Sequence, residues 1–237
     1  FSASTVKKFS KYKNIVIIGM GGSILGTKSI YSFFKNKIKK KVFFFDNLDL
    51  DLNLTYKKMI SPKDSCVIVI SKSGNTLETM INLAAISSKN LLNNKLIIIT
   101  EKKNSTLMSI ANKYKAEIIE HKEFIGGRYS VLSESGMFPA ALMGLNLEKF
   151  KNLKILLKDK NFVSSLIFNV ASIHTLYLKK INNSVILNYD SNLNDLGYWY
   201  QQLVAESLGK KGKGINPILS FGPRDHHSLL QLYLDGP

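Results

Sequence analysis

The 237-residue chain holds a single cysteine, Cys66, which excludes a disulfide framework and any cysteine-based zinc set. Cys66 lies in the apolar run Ser65-Cys66-Val67-Ile68-Val69-Ile70 and reads as a small core hydrophobe in a reducing, cytoplasmic setting. Arginine is nearly as scarce: of 33 basic residues only Arg128 and Arg224 are arginines. The net charge of +16 raises nucleic acid as a partner. The lysines, however, are scattered over every segment, without a dense stripe or interleaved aromatics, so no nucleic-acid face is expected. Such a field still gathers anionic metabolites. No apolar stretch approaches the roughly 18 residues a membrane span needs, and the first residues lack a signal layout, so no membrane partner is expected. No Walker-type Gly-Lys-Ser/Thr sequence occurs, which disfavours nucleotide hydrolysis.

What is present is an alternation. Apolar, β-branched runs predict strands at Asn14–Ile18, Lys41–Asp46, Cys66–Ile70, Lys95–Thr100 and Ala116–Glu120. Between them, helical spacing predicts helices over Ile24–Phe34, Leu50–Met59, Leu77–Ser87 and Thr106–Tyr114. Strands spaced by helices of this length imply an α/β fold with a doubly wound parallel sheet, and ligands at the carboxyl ends of its strands. Beyond Arg128 the pattern changes. Ser133–Leu145 reads as helix around Pro139, Leu147–Leu157 as a lysine-rich connector, and Asn161 as the cap of a long helix carrying His174, a packing or surface histidine. Strand and helix then resume at Val185–Asn188, Leu193–Leu208 and Ile218–Phe221, with a last helix beginning near His226. The expected organisation is a first α/β domain over 1–146, a helical connector over 147–183 and an incomplete second α/β domain over 184–237, belonging to a longer protein.

Two turns at strand ends carry the chemistry. Ser71-Lys72-Ser73-Gly74-Asn75-Thr76-Leu77-Glu78-Thr79 joins a predicted strand to a helix. Its hydroxyls, its lysine and the free amides of the helix start can surround a phosphate; an ordinary capped helix with a solvated lysine fits the same residues. Gly19-Met20-Gly21-Gly22-Ser23 suggests a dinucleotide turn, with Asp46 as the ribose acid, but Ile24 stands where the third glycine is needed. Backbone amides and Ser23 against a sugar or its phosphate suit those residues better. Arg128 beside Gly126-Gly127 suggests a fixed guanidinium fork. Glu206 near the end of an apolar helix, partly desolvated, could accept a proton; an ion pair with Lys210 one turn on is the alternative. His226-His227 could serve as acid or base, whereas no ligand-spaced set supports a metal.

The chain resembles the glucose-6-phosphate isomerase family, built from two SIS-type α/β domains. The resemblance rests on the glycine turn 19–23, the hydroxyl turn 71–79, Gly126-Gly127-Arg128-Tyr129-Ser130 with its continuation to Gly136, and Gln201-Gln202 with Glu206-Ser207-Leu208-Gly209-Lys210. It extends to Asp225-His226-His227-Ser228-Leu229-Leu230-Gln231. It implies reversible isomerisation of glucose 6-phosphate and fructose 6-phosphate without metal or organic cofactor. Ser71, Lys72, Ser73 and Thr76 fall on the family's phosphate-binding positions, Gly22 and Ser23 on its sugar-contacting turn, and Gln202 on a substrate-contacting glutamine. Glu206 falls on the base, Arg128 on the arginine that steadies developing negative charge, and His227, not His226, on the ring-opening histidine. In many members that histidine comes from the partner subunit, which implies a homodimer. The family's further lysine near its C-terminus has no counterpart before Pro237. A bifunctional isomerase that also accepts mannose 6-phosphate, and a non-catalytic SIS module that senses a sugar phosphate, are the alternatives.

Overall fold

The structure, a computed structural model, describes residues 1–236, and of Lys89 the backbone only. Its contacts divide the chain into two compact units, 1–145 and 146 onward.

The first unit runs α1 (Ala3–Ser10), β1 (Asn14–Ile18), α2 (Leu25–Phe34), β2 (Lys41–Phe45), α3 (Leu50–Met59), β3 (Ser65–Ile70), α4 (Leu77–Ile86), the short α5 (Lys89–Leu92), β4 (Leu96–Thr100), α6 (Thr106–Tyr114), β5 (Glu117–Glu120) and α7 (Glu134–Leu142). The five strands form one sheet in the order β2-β1-β3-β4-β5, every pair parallel. The α/β doubly wound expectation is therefore met, and each strand lies within about a residue of its expected position.

The reason is legible in the strand composition. β1, β3 and β4 are buried at every position, as a parallel sheet covered by crossover helices on both faces requires. Side chains alternate between those faces. Val16, Ile18, Val67, Val69, Leu96 and Ile98 pack on one side with Leu83, Ile86 and Leu107 from the helices. Ile15, Ile17, Cys66, Ile68, Ile70, Ile97 and Ile99 pack on the other with Phe138 and Leu142. Burial pushes the Cys66 thiol up to about 12, so it behaves as the core hydrophobe its neighbours suggested.

One buried polar bridge fastens the helices flanking β3. Asn82 on α4 accepts from Asn53 Nδ2 on α3 (2.9 Å) and donates to the Asn47 carbonyl (3.2 Å). Asn82→Ala strands the Asn53 amide and the Asn47 carbonyl, both of which need partners. It should cost about 1–3 kcal/mol, read as a lower denaturation midpoint at unchanged m-value.

The second unit contains α8 (Leu147–Lys151), α9 (Lys160–Leu178), β6 (Asn183–Asn188), α10 (Asn194–Leu208), β7 (Asn216–Phe221) and α11 (Leu230–Asp235). β6 and β7 form a parallel two-stranded sheet with α10 as crossover. Three expectations change here. The cap of α9 is Asp159, whose carboxylate accepts from Asn161 and Phe162 amides, and Asn161 lies inside the helix. An ionised side chain at the helix start makes the stronger cap. The segment at His226 is a 3₁₀ turn over Arg224–His227, and α11 begins only at Leu230. Finally, the expectation that nothing approaches a membrane span missed α9. Its 19 residues reach a mean hydropathy of 1.2, with none of that window buried. Length and composition therefore qualify it, although Asn, Ser, His and Thr interrupt its apolar residues and break any continuous run.

Candidate active site

Strand order fixes where a ligand can sit in the first unit. The chain places β2 on one side of β1 and β3 on the other, so the connections leaving β1 and β3 diverge and open a crevice at their carboxyl ends. The turn after β1 is Gly19–Ser23 and the turn after β3 is Ser71–Thr76. Both singled-out turns therefore open at the switch point.

The hydroxyl turn is pre-shaped. Ser71 Oγ lies 2.8 Å from Thr76 Oγ1 and accepts from the Gly74 amide (3.2 Å). Ser73 Oγ accepts from the Asn75 amide (3.2 Å). Gly74 holds φ +70, and a Cβ there would overlap Ser105 Oγ, so only glycine closes the turn without strain. Thr76 precedes α4 in extended conformation with no side-chain cap bond to it. The helix thus begins at the cradle with its hydroxyl directed to Ser71 rather than spent on capping.

A third turn, Gly126–Ser130, packs on the glycine turn. Ser130 Oγ donates to the Gly127 carbonyl (2.7 Å) and lies 3.4 Å from that of Gly22. A Cβ on Gly22 would fall inside contact distance of Arg128 N and Gly127 C. Gly22 is glycine because two backbones touch there, and this contact seats the Gly127–Arg128 backbone against the glycine turn. The Arg128 guanidinium lies over the Tyr129 ring at 4.7 Å, which orients the fork. Asp46, the acid a dinucleotide reading would need, is held by Lys28 Nζ at 2.6 Å. A ribose hydroxyl would have to compete with that pair.

Lys72 connects cradle and arginine turn. Its ammonium donates to the Glu123 carbonyl (2.7 Å), three residues before Gly126, and lies 3.5 Å from Glu101 Oε1. Glu101 and Glu123 were not singled out in the sequence. The available signal was position, since Glu101 directly follows β4 and so reaches the same sheet edge.

The second unit carries Gln202, Glu206 and His227. On α10, Gln202 Nε2 donates to Glu206 Oε2 (3.1 Å) across one helical turn. Glu206 is exposed, so of the two readings weighed for it the partly desolvated carboxylate is not seen within this chain: residues before it on the helix are apolar, but the last turn runs past the sheet. The order of contacts shows this. Gly197 faces Leu219, Gln201 bonds the Pro217 carbonyl at 2.8 Å, and Glu206 lies beyond the start of β7. His227 follows the other end of that strand. Six residues of β7 at about 3.3 Å each make roughly 20 Å of strand, and the two follow its opposite ends within one copy.

The His226-His227 turn is bolted down by Asp225. Its Oδ2 accepts from the Phe221 amide (2.6 Å) and Ser220 Oγ (3.1 Å), and its Oδ1 from Arg224 Nε (2.9 Å). His226 Nε2 pairs with Tyr189 OH at 2.8 Å, whereas His227 is exposed. The adjacent histidines therefore have different surroundings, which the dipeptide alone did not reveal. The Arg224 hydrogen bond, followed by the Phe221 amide, holds the Asp225 carboxyl below its usual range. Its stabilising effect is complete above the ordinary carboxylate pKa of about 3.9 and is lost as pH falls through the lower folded value. Asp225→Asn should therefore lower the melting temperature near neutral pH. The gap to wild type should narrow as melts are repeated at progressively more acidic pH. Among the described residues, no group of three or more His, Cys, Asp or Glu could hold a metal ion.

Comparison with known proteins agrees with this layout. The phosphoglucose isomerase family profile matches residues 3–220. Glucose-6-phosphate isomerase of Methanocaldococcus jannaschii is 37% identical over 97% of this chain and 59% of its own length. A hypothetical protein of Thermus thermophilus superposes with a TM-score of 0.83 at 26% identity, over 99% of this chain and 60% of that one. A glucose-6-phosphate isomerase of Chlamydia trachomatis shares the fold with a TM-score of 0.75 at 23% identity, over 99% of this chain and 50% of that one. The chain thus spans a little over half the length of the curated relatives it matches. With the profile running through the glycine turn, the hydroxyl cradle, the arginine turn and the Gln202–Glu206 helix, the chain belongs to the phosphoglucose isomerase family.

Proposed function

We propose that the protein, at its full natural length, interconverts glucose 6-phosphate and fructose 6-phosphate. The observation that carries this reading is the convergence of the Ser71–Thr76 cradle, the Gly22 turn and the Arg128 turn at one crevice, in a chain of this family. Ser71, Ser73, Thr76 and the ammonium of Lys72 hold the phosphate. Gly22, Ser23 and Gln202 contact the sugar. His227 assists ring opening by shuttling a proton between ring oxygen and anomeric hydroxyl. Glu206 then takes the proton from the carbon next to the carbonyl and returns it to the neighbouring carbon. The enediolate formed between those steps is steadied by Arg128, a cation that needs no reorganisation as charge develops. Every group that moves a proton or carries charge in this cycle is a side chain, so the reading calls for no metal or organic cofactor.

The strand-length separation of Glu206 and His227 within one copy supports a homodimer in which the histidine serves a partner's site. Residues 1–146 form a first SIS-type domain in this reading, 147–183 a connector and 184–237 the beginning of a second. A cytoplasmic location accords with the one buried thiol, and the reading requires neither nucleic acid nor a membrane as a partner. The test is a coupled assay on the full-length protein with fructose 6-phosphate. Glucose 6-phosphate formation supports the isomerase. A folded protein that binds the sugar phosphate without turnover is a sensor instead.

A further inference from the structure

The Lys72 ammonium, whose residue belongs to the hydroxyl turn, is held by the Glu123 carbonyl and faces a carboxylate. Glu101, almost buried, approaches it to 3.5 Å through Oε1 while Oε2 is bonded to Lys103. The backbone repeats the link: the Glu101 amide donates to the Lys72 carbonyl at 3.2 Å, and Thr100 Oγ1 donates to the same oxygen at 3.3 Å. Lys72 is thus tied to the end of β4 at both its ends.

The neighbouring charges are otherwise occupied. Glu101, Lys102, Lys103, Glu120, His121 and Glu123 line a polar cavity of about 260 Å³. Glu120 Oε2 lies 2.9 Å from Lys122 and 3.4 Å from Lys102. Among the described residues, Glu101 is the carboxylate that ion-pairs with Lys72. The hydrogen bond from Lys103, followed by the charges of Lys103 and Lys72, holds its carboxyl below the usual range. It is therefore ionised at any pH where a sugar phosphate is a dianion.

We propose that Glu101 is a positioning residue that attenuates the phosphate grip of Lys72, sharing the ammonium with the Glu123 carbonyl in the free protein and weakening its attraction for an incoming phosphate. The inference rests on the reading of Ser71–Thr76 as a phosphate cradle. Its physical sense is that uniform binding of substrate, product and transition state lowers KM without raising kcat. A carboxylate beside the phosphate lysine limits that uniform binding and eases product release.

The experiment is competitive inhibition of the full-length protein by inorganic phosphate, in wild type, Glu101→Gln, Lys72→Met, the double variant and Glu120→Gln. Glutamine keeps the shape and an acceptor for Lys103 while removing the charge. The expected result is an inhibition constant about threefold to tenfold lower in E101Q, since one unit charge close to the binding ammonium is removed. KM should fall in parallel and kcat should not rise. The double variant should match K72M, because the effect passes through Lys72. E120Q removes the same charge from the same cavity and should change the constant less than about twofold, since its carboxylate is held by other lysines.

Unchanged or weaker phosphate inhibition in E101Q overturns the proposal. So does tightening that persists without Lys72, or an equal effect of E120Q, which would indicate a diffuse field. If phosphate does not compete with substrate in wild type, the cradle reading itself fails and takes this inference with it. Competition in wild type that is lost in K72M keeps the cradle, and the E101Q result then decides the role of Glu101 separately.

Discussion

Glu206→Gln in the full-length protein should lower kcat by roughly 10² to 10⁴-fold, the range a general base contributes, with KM nearly unchanged. The substitution is close to isosteric, and Glu206 is exposed on the last turn of α10. The hydrogen bond from Gln202 Nε2, 3.1 Å in the parent, finds an amide oxygen in place of the carboxylate. Fold and substrate contacts therefore survive. What is lost is the ability to take a proton, so the damage lies in the transition state alone and kcat and kcat/KM should fall together. A variant that kept most of its turnover would remove Glu206 from the mechanism.

Gly22→Ala should be nearly as damaging for a different reason. The added Cβ would press on Arg128 N and Gly127 C, and backbone atoms cannot yield as the end of a flexible side chain can. Overpacking of this kind costs about 1–3 kcal/mol, visible in denaturation. The larger effect is on turnover. Pushing the Gly126–Ser130 turn outward displaces Arg128, and in the proposed mechanism a shift of about 1 Å in the group that steadies charge can cost about 10²-fold. Gly127→Ala is the matched control, because a Cβ there meets nothing within 4 Å and should leave kcat/KM within about twofold. Equal effects of the two substitutions would contradict a backbone-contact role for Gly22.

The contrast between these glycines shows where the sequence is readable. The buried strands were legible because β1, β3 and β4 are runs of Ile, Val and Leu that only a sheet covered on both faces accommodates. The hydroxyl turn was legible as a strand-to-helix turn because its hydroxyls, Lys72 and Gly74 are adjacent in the chain. Gly22 could be recognised as a turn glycine, but its contact is more than 100 residues away at Arg128, and no local pattern encodes that. The link between Lys72 and Glu101 exists because β3 and β4 are sheet neighbours. Tyr189 selects His226 over His227 because β6 and β7 pair in register. Spacing left Glu206 open between a partly desolvated carboxylate and an ion pair with Lys210. The apolar residues before it pack on β7, while the helix end projects past the strand.

Proton transfer by Glu206 through an enediol is the centre of the proposed mechanism, and solvent deuterium incorporation measures it directly. Full-length wild type and Glu206→Gln would be incubated with fructose 6-phosphate in heavy water, and the label followed at the exchanging sugar carbons. Label is expected in wild type to the extent that the proton held by Glu206 exchanges with solvent before it is returned, with loss in the variant by the same factor as kcat. A variant that turns over or exchanges at the wild-type rate would contradict the mechanism.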